Sequence, residues 1–180
     1  MRKTATAELI FAALMCALCC VLSQVQFPLP PVPVSLALLA VHLCGTLLPA
    51  RLSAAALGAY VLLGAAGLPV FAGFLGGPSA LFGPTGGYLF GYILCAVLEG
   101  RLLERLPFTR RTLFLSMALG TLACYTLGTV WFMALTGTKW WASLTMCVFP
   151  FIPGDALKII LAVSVSMRLR KALRPGVHYA

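Results

Sequence analysis

Long apolar runs recur along the whole chain, and short stretches with proline, glycine or basic residues separate one run from the next. A helix needs about 20 mostly apolar residues to cross the hydrocarbon core of a membrane. With 61% hydrophobic and 9% charged residues and a mean hydropathy of +1.01, the chain is far from the balance of a soluble domain. We therefore predict an all-α membrane protein with a single domain over residues 1–180. Its six transmembrane helices are expected at about residues 4–23, 34–48, 52–67, 85–103, 112–136 and 153–168.

The segments between the apolar runs have an unusual composition. Residues 28–33 hold four prolines, which exclude a helix and predict an extended loop. Residues 67–88 are dense in glycine, proline and aromatic residues. Because nonhelical backbone persists near a membrane only where it packs against protein or lines a cavity, we predict a structured lid or binding loop there. The last apolar region, residues 140–167, is too long for one span, and Pro150 and Pro153 divide it into a short segment and the sixth span.

The basic residues indicate the orientation of the chain. Six spans place eleven of the thirteen Lys and Arg residues on one side of the membrane, with Lys139 alone on the other and Lys158 inside the sixth span. The positive-inside rule then predicts cytoplasmic termini and a multi-pass protein of the cell membrane. We interpret the net charge of +9 as this topology signal rather than as a nucleic-acid-binding surface. The basic start resembles a secretory signal, but no cleavage pattern follows Ser23, so we predict a retained first span.

Asp155 and Lys158 form a charged pair at the start of the sixth predicted span. Their spacing of three residues places both on one face of a helix, and Asp155 suits the positive end of the helix dipole. A charge near the membrane centre costs about 2.5–3.5 kcal/mol, so such residues usually face an interior or a pathway. A structural salt bridge, or a lysine that reaches to the surface, is one interpretation. The other is a polar clamp for a ligand that carries both donors and acceptors.

Aromatic residues are expected to surround this clamp and to form the apolar part of such a pocket. For each of them alone, core packing or an interfacial belt is the usual role. Together with one polar clamp, they predict a site for a small, mostly apolar ligand. The residues are Tyr60, Phe71, Phe74, Phe82, Tyr88, Trp140 and Trp141.

Catalysis has little support in the sequence. His42 and His178 have no acid or nucleophile nearby along the chain, so we interpret each as structural or solvated. Without a Walker phosphate loop the chain itself does not use ATP. The seven cysteines lack zinc-site spacing, which predicts reduced structural thiols and neither a metal nor a cofactor. Cys16 and Cys19 form a CxxC pattern, so a membrane thiol oxidoreductase stays an alternative, as does an assembly subunit without a ligand.

Four stretches of the chain carry a family resemblance: "FPLPPVPVSL" (27–36), "YVLLGAAGLPVFAG" (60–73), "GPTGGYLFGY" (83–92) and "PGDALK" (153–158). They closely resemble the BioY family, the biotin-binding S components of energy-coupling factor (ECF) transporters. The agreement in order and spacing extends from about residue 6 to 168. The resemblance implies a six-helix S component that binds biotin in an outward-facing pocket. It also implies a transport subunit rather than an enzyme, whose partners are a transmembrane coupling protein and two ATPases that drive inward release.

The resemblance also assigns roles to individual residues. Ala13 and Ala17 match the Ala-x-x-x-Ala surface through which S components commonly contact the coupling protein. The ureido ring of biotin would meet the Asp155 and Lys158 clamp, and its carboxylate the glycine-rich loop or Thr85, although the opposite pose stays open. One departure is Ser35-Leu36-Ala37, where relatives often have Thr-Leu-Gln, so affinity or specificity is expected to differ. The substrate-binding residues expected on this basis are Asp155, Lys158, Tyr88, Thr85, Gly86, Gly87, Tyr60 and Phe71.

Overall fold

The computed structural model describes residues 2–27 and 34–173; the predicted proline-rich stretch 28–33 and the C-terminal residues 174–180, with His178, lie outside the described residues. Eight helices and one two-stranded antiparallel ribbon form the described part of the chain. The helices are α1 (Arg2–Gln24), α2 (Ala37–Leu47), α3 (Ala50–Ala65), α4 (Pro78–Leu81), α5 (Gly86–Arg105), α6 (Arg110–Thr136), α7 (Trp140–Cys147) and α8 (Ile152–Leu173), and the strands are β1 (Gln26–Phe27) and β2 (Val34–Ser35).

Some of the predicted spans form helices long enough to cross a membrane, and others form shorter apolar helices. Within the described residues, α1, α5 and α6 are long and apolar enough to cross a membrane, and α7 with α8 makes a fourth candidate that is bent by 51°. The two segments predicted at 34–48 and 52–67 form apolar helices of 11 and 16 residues. The all-α membrane fold is confirmed, whereas the count of six spans stays a prediction.

Glycine allows α5 and α6 to pack closely. A Cβ atom at Gly91 would lie 2.8 Å from Cys124 Sγ, and one at Gly128 would lie 2.3 Å from the Tyr88 ring. These contacts leave no room for a larger residue, which is the usual reason for small residues at helix contacts in membranes. Helices α2, α3 and α6 all pack on α5, so α5 is the centre of the bundle.

The segment between α3 and α5 is structured, as the sequence predicts. It contains a β-bridge between Phe71 and Leu75, the short helix α4, and glycines at positive φ at positions 67, 73 and 77. The predicted division at the prolines is also confirmed, because α7 ends at Cys147 and α8 begins at Ile152. This division places Asp155 in the first turn of α8.

Candidate ligand-binding pocket

A cavity of about 100 Å³ lies among α1, α2, α3, α5, α6 and α8 and beneath the segment between α3 and α5. Its walls are largely aliphatic, aromatic or thiol side chains, with one charged pair and a few hydroxyl groups. The lining residues are Ser23, Ser35, Ala37, Leu38, Tyr60, Phe71, Ala72, Leu75, Ala80, Thr85, Tyr88, Leu89, Tyr92, Cys124, Tyr125, Cys147, Phe151, Asp155 and Lys158.

The charged pair of the pocket is Asp155 and Lys158. Lys158 Nζ donates a hydrogen bond to Asp155 Oδ1 at 2.6 Å, and the Tyr125 hydroxyl donates to Asp155 Oδ2. The two charged residues are 4% and 6% exposed. A buried ion pair is tolerable only when its geometry and further hydrogen bonds offset the loss of water. Tyr125 supplies such a bond, and two of the three ammonium N–H donors of Lys158 have no partner within the described residues.

Another part of the pocket wall is aromatic. The rings of Tyr60 and Phe71 meet edge to face with centroids 5.5 Å apart. The Tyr60 hydroxyl lies 2.9 Å from Ser23 Oγ, so this buried polar tip has a partner on α1. The Tyr88 hydroxyl donates to the carbonyl of Cys147 at 3.3 Å. With their hydroxyl groups bonded to protein, these rings present apolar surface to a ligand.

Gln24, at the end of α1, holds the segment that covers the pocket. Its side-chain amide donates to the carbonyl oxygens of Pro69 at 3.2 Å and Phe71 at 3.1 Å. Its side-chain oxygen accepts a hydrogen bond from the Phe74 amide at 2.9 Å. One side chain thus makes three bonds to the backbone around Phe71, and these bonds fix where that ring enters the pocket.

The structure brings six of the eight expected substrate-binding residues to the pocket wall: Tyr60, Phe71, Thr85, Tyr88, Asp155 and Lys158. Gly86 and Gly87 do not line the cavity. They are buried at the start of α5, where added Cβ atoms would lie 1.7 Å from the Leu81 carbonyl oxygen and 2.2 Å from Trp131 Cβ. Their absence of a side chain serves helix packing at this point.

Four residues of the expected aromatic wall lie outside the pocket. The side chains of Phe74, Phe82, Trp140 and Trp141 are between 48% and 71% exposed and do not line the cavity. The prediction that they form the apolar part of the pocket is therefore wrong for these four. Aromatic side chains exposed at the end of a membrane bundle are typical of an interfacial belt, the other interpretation of the sequence.

Two tyrosines of the pocket were missed by sequence reasoning. Tyr92 follows Tyr88 by four residues on α5, so helical spacing alone could have placed both on the pocket face. Tyr125 lies in the middle of α6, thirty residues before its partner Asp155, and no local pattern marks it. Ala37, noted as a departure from relatives, lines the pocket and is 1% exposed.

A second buried polar cluster lies where α2, α5 and α6 meet. His42 Nδ1 and Glu99 Oε1 are 2.6 Å apart and both side chains are fully buried. Cys95 donates to the same oxygen at 3.1 Å, and Thr121 lies 3.4 Å from His42 Nε2. The structural interpretation of His42 is therefore correct and the solvated one is wrong. Its acidic partner is 57 residues away along the chain, so no local pattern could reveal it.

The same cluster contains a set of atoms of the kinds that bind zinc. One ligand atom each from His42, Cys95 and Glu99 lies within 4.8 Å of the others. Hydrogen bonds already join the three side chains, and Glu99 Oε2 has no hydrogen-bond partner within the described residues. Gly45 and Gly120 make room for the carboxylate, because a Cβ at either position would lie 2.7 Å from a Glu99 oxygen.

The seven cysteines all lie within the described residues and are free thiols. Six of them are buried, among them Cys16 and Cys19 of the CxxC pattern, with Cys19 fully so. A thiol that exchanges with a substrate needs access to it, which this burial denies. The arrangement fits the prediction of structural thiols.

A small, largely apolar pocket with one buried ion pair, set in a bundle of apolar helices, defines a ligand-binding integral membrane protein. A family model matches residues 1–175 and bears the description BioY family. The chain belongs to this family, as the resemblance predicts.

Named relatives and a solved structure agree with this membership. The chain is 35% identical over 173 residues to "Biotin transporter BioY2" of Lactococcus lactis, covering 96% of this chain and 95% of that one. It is 35% identical over 169 residues to "Biotin transporter BioY" of Thermotoga maritima, with coverage of 91% and 96%. A crystal structure of the S-component for biotin from an ECF-type ABC transporter superposes with a TM-score of 0.90 at 28% identity, covering 95% of this chain and 94% of that one. These relatives are transport proteins, which confirms the prediction of a transport subunit rather than an enzyme.

Proposed function

We propose that this chain captures biotin from outside the cell as the substrate-binding subunit of an ECF-type uptake transporter. The observation that carries the proposal is the buried Asp155 and Lys158 pair in the wall of an otherwise apolar pocket. The names of the relatives and the S-component fold support biotin as the ligand.

The chemistry of biotin suits the two sides of the pocket. Its ureido ring carries two N–H donors, which Asp155 can accept, and a polarised carbonyl, which Lys158 can meet with its unpaired donors. Its thiophane ring and valeryl chain are apolar and suit the rings of Tyr60 and Phe71. In this pose the ion pair is not broken on binding but extended by the ligand, so no charge is left buried without a partner.

The carboxylate of biotin needs a further donor in this pose. Thr85, at the start of α5, lines the pocket and offers a hydroxyl group, and helix N-termini favour anions. The reverse pose, with Lys158 on the carboxylate, is the alternative that the experiment below distinguishes. Ala37 supplies only a methyl group to the wall, and this loss of a polar side chain is expected to alter affinity relative to relatives with glutamine.

The partners proposed for this subunit are a transmembrane coupling protein and two ATPases, which release biotin inward. Ala13 and Ala17 are exposed and four residues apart on α1, so they form one small-residue strip on the outside of the bundle. Such a strip lets a neighbouring helix approach closely. We propose that the coupling protein packs on this strip. For this chain itself we propose six spans, cytoplasmic termini and a location in the plasma membrane.

Calorimetry of the purified chain with biotin, without ATP, tests the function and the pose together. We expect tight binding of biotin and none of an analogue that lacks the ureido group. Equal binding of the two would contradict the assignment of the ureido ring to Asp155 and Lys158 and favour the reverse pose. If biotin neither binds nor raises the melting temperature, the chain is an assembly subunit without this ligand.

Variants of the ion pair locate the site. Asp155→Ala and Lys158→Ala should each abolish measurable binding, because removing one partner leaves the other buried and uncompensated. Lys139→Ala is the matched control, since Lys139 is exposed and does not line the pocket. A variant of Asp155 that binds as tightly as the parent would refute the clamp.

A further inference from the structure

A second cavity, of about 250 Å³, lies between the beginning of α6 and the end of α8. Its α8 residues are at positions 164, 167, 168 and 171, a spacing that places them on one helix face. A smaller cavity of about 80 Å³ shares two of these residues and adds Phe108 and Arg170, whose guanidinium lies 3.8 Å above the Phe108 ring. The larger cavity is lined by Arg110, Ser164, Met167, Arg168 and Lys171.

The larger cavity concentrates positive charge that no acid balances. Arg110, Arg168 and Lys171 are exposed and form no salt bridge within the described residues. Of the four acidic residues of the chain, two are buried in ion pairs with other partners and one accepts a hydrogen bond from the backbone at the start of α3. The fourth, Glu8, lies on α1. The positive-inside rule accounts for basic residues at this end of the bundle but not for three that surround one cavity.

Apolar surface continues from the cavity along the bundle. Phe114 follows Arg110 by one turn of α6 and is 47% exposed, and Val165 and Leu169 are exposed beside the cavity on α8. Arg168 lies ten residues beyond Lys158, about 15 Å along the helix, so this surface is remote from the ligand pocket. Cations at the end of a spanning helix, with exposed apolar side chains next to them, match the order of phosphate and acyl chain in a lipid.

We propose that this cavity binds the headgroup phosphate of an anionic phospholipid. The guanidinium groups of Arg110 and Arg168 offer planar pairs of donors to phosphate oxygens, and Lys171 adds a point charge. The acyl chains lie along the exposed apolar side chains of α6 and α8. Ser164 also lines the cavity, with its hydroxyl group donating to the Ile160 carbonyl within α8.

Native mass spectrometry of the purified full chain, with phosphatidylglycerol or phosphatidylcholine added at equal concentration, tests the site. We expect retention of phosphatidylglycerol and little of phosphatidylcholine. The double variant Arg168→Gln/Lys171→Gln should weaken phosphatidylglycerol binding about tenfold or more, because each basic residue near an anionic headgroup adds electrostatic attraction to the binding of the lipid. The matched control is Arg101→Gln/Arg105→Gln, which removes two exposed cations of α5 outside the cavity and should bind the lipid as the parent does.

Three outcomes would overturn the proposal: equal retention of the two lipids, unchanged binding by the Arg168/Lys171 variant, or displacement of the lipid by inorganic phosphate at the same concentration. The last would assign the cavity to a free anion. Both double variants should keep the melting temperature and biotin affinity of the parent, because the cavity lies away from the pocket. If the α8 variant does not fold, Arg110→Gln, on the other wall, should show the same selective loss.

Discussion

At the scale of single residues, the carboxylate of Asp155 is held from both sides. Lys158 occupies one oxygen and Tyr125 the other, so the orientation of the carboxylate is fixed before any ligand arrives. A group that is already oriented loses little conformational freedom on binding. We therefore expect Tyr125 to contribute to ligand binding through Asp155.

Replacing Tyr125 by phenylalanine removes this second bond and keeps the ring. Hydrogen bonds to charged groups contribute about 1.5–3 kcal/mol, so biotin affinity should fall about tenfold to a hundredfold. Calorimetry measures the change. Thr126→Val is the control, because Thr126 is exposed and its hydroxyl group donates only to the Leu122 carbonyl within α6. Equal affinity of Tyr125→Phe and the parent would show that Lys158 alone orients Asp155.

Sequence reasoning found the residues that are conspicuous locally and missed those defined by distant partners. Asp155 and Lys158 stand out because charge is rare in an apolar run. A tyrosine such as Tyr125 is ordinary in a spanning helix, and only the fold shows that it faces Asp155. Glu99 lies close to basic residues near the end of α5, where a solvated position is the default, and its pairing with His42 depends on how α2 packs against α5.

At the scale of elements, α3 makes a socket for the segment that covers the pocket. Gly64 faces the tip of the Phe71 ring, and a Cβ there would lie 2.0 Å from the ring. The socket explains why Phe71 is only 3% exposed although its neighbours Phe74 and Leu75 are largely exposed. Close packing of this kind is intolerant of even one additional methyl group.

Gly64→Ala should therefore push Phe71 out of its position and weaken biotin binding about tenfold or more. Overpacking typically costs about 1–3 kcal/mol. Gly58→Ala, six residues earlier on α3, meets nothing within 4 Å and should bind as the parent does, with a melting temperature that is equal or slightly higher. Calorimetry and thermal melts compare the two. Unchanged binding by Gly64→Ala would mean that Phe71 is not part of the ligand wall.

The link between α1 and the covering segment is a second property of the elements. Gln24→Ala removes three hydrogen bonds to the backbone around Phe71. We expect faster hydrogen exchange in residues 69–75 and faster dissociation of biotin, because the segment that covers the pocket opens more often. Val25→Ala, at a half-exposed neighbour, is the control. Exchange that is unaltered by Gln24→Ala would show that the segment is held by its own turns.

The boundaries of elements were predictable where proline or glycine marks them. Pro150 and Pro153 locate the break before α8 correctly. The start of α2 is later than predicted, at Ala37 instead of about residue 34, because Val34 and Ser35 pair with Phe27 and Gln26 in a ribbon. That pairing joins the two ends of the proline-rich interruption, and an apolar run alone does not reveal it.

At the scale of the whole molecule, the His42 and Glu99 pair joins the centre of the bundle. It connects α2 to α5, with Thr121 of α6 at the far side of the imidazole. The pair lies one helical turn beyond the pocket residues Leu38 on α2 and about two turns beyond Tyr92 on α5. The cluster therefore holds together the helices that carry the pocket wall.

Single and double substitutions of this pair should have unequal effects on stability. Removing one member of a buried pair costs about 3–5 kcal/mol, whereas replacing both by apolar groups is often nearly neutral. We expect His42→Leu and Glu99→Leu each to lower the melting temperature strongly and the double variant to recover much of the loss. Thermal melts in detergent measure this. Additive losses in the double variant would show that the two side chains stabilise the bundle independently.

Helix α8 carries the charged pair of the pocket near its first turn and the basic cavity near its last. Its 22 residues form one helix about 33 Å long. A rigid rod of that length works as a lever: a tilt of roughly 10° about one end moves the other by about 6 Å. The unchanged biotin affinity expected of the Arg168→Gln/Lys171→Gln variant would therefore also show that α8 keeps its tilt when the cations at its far end are removed.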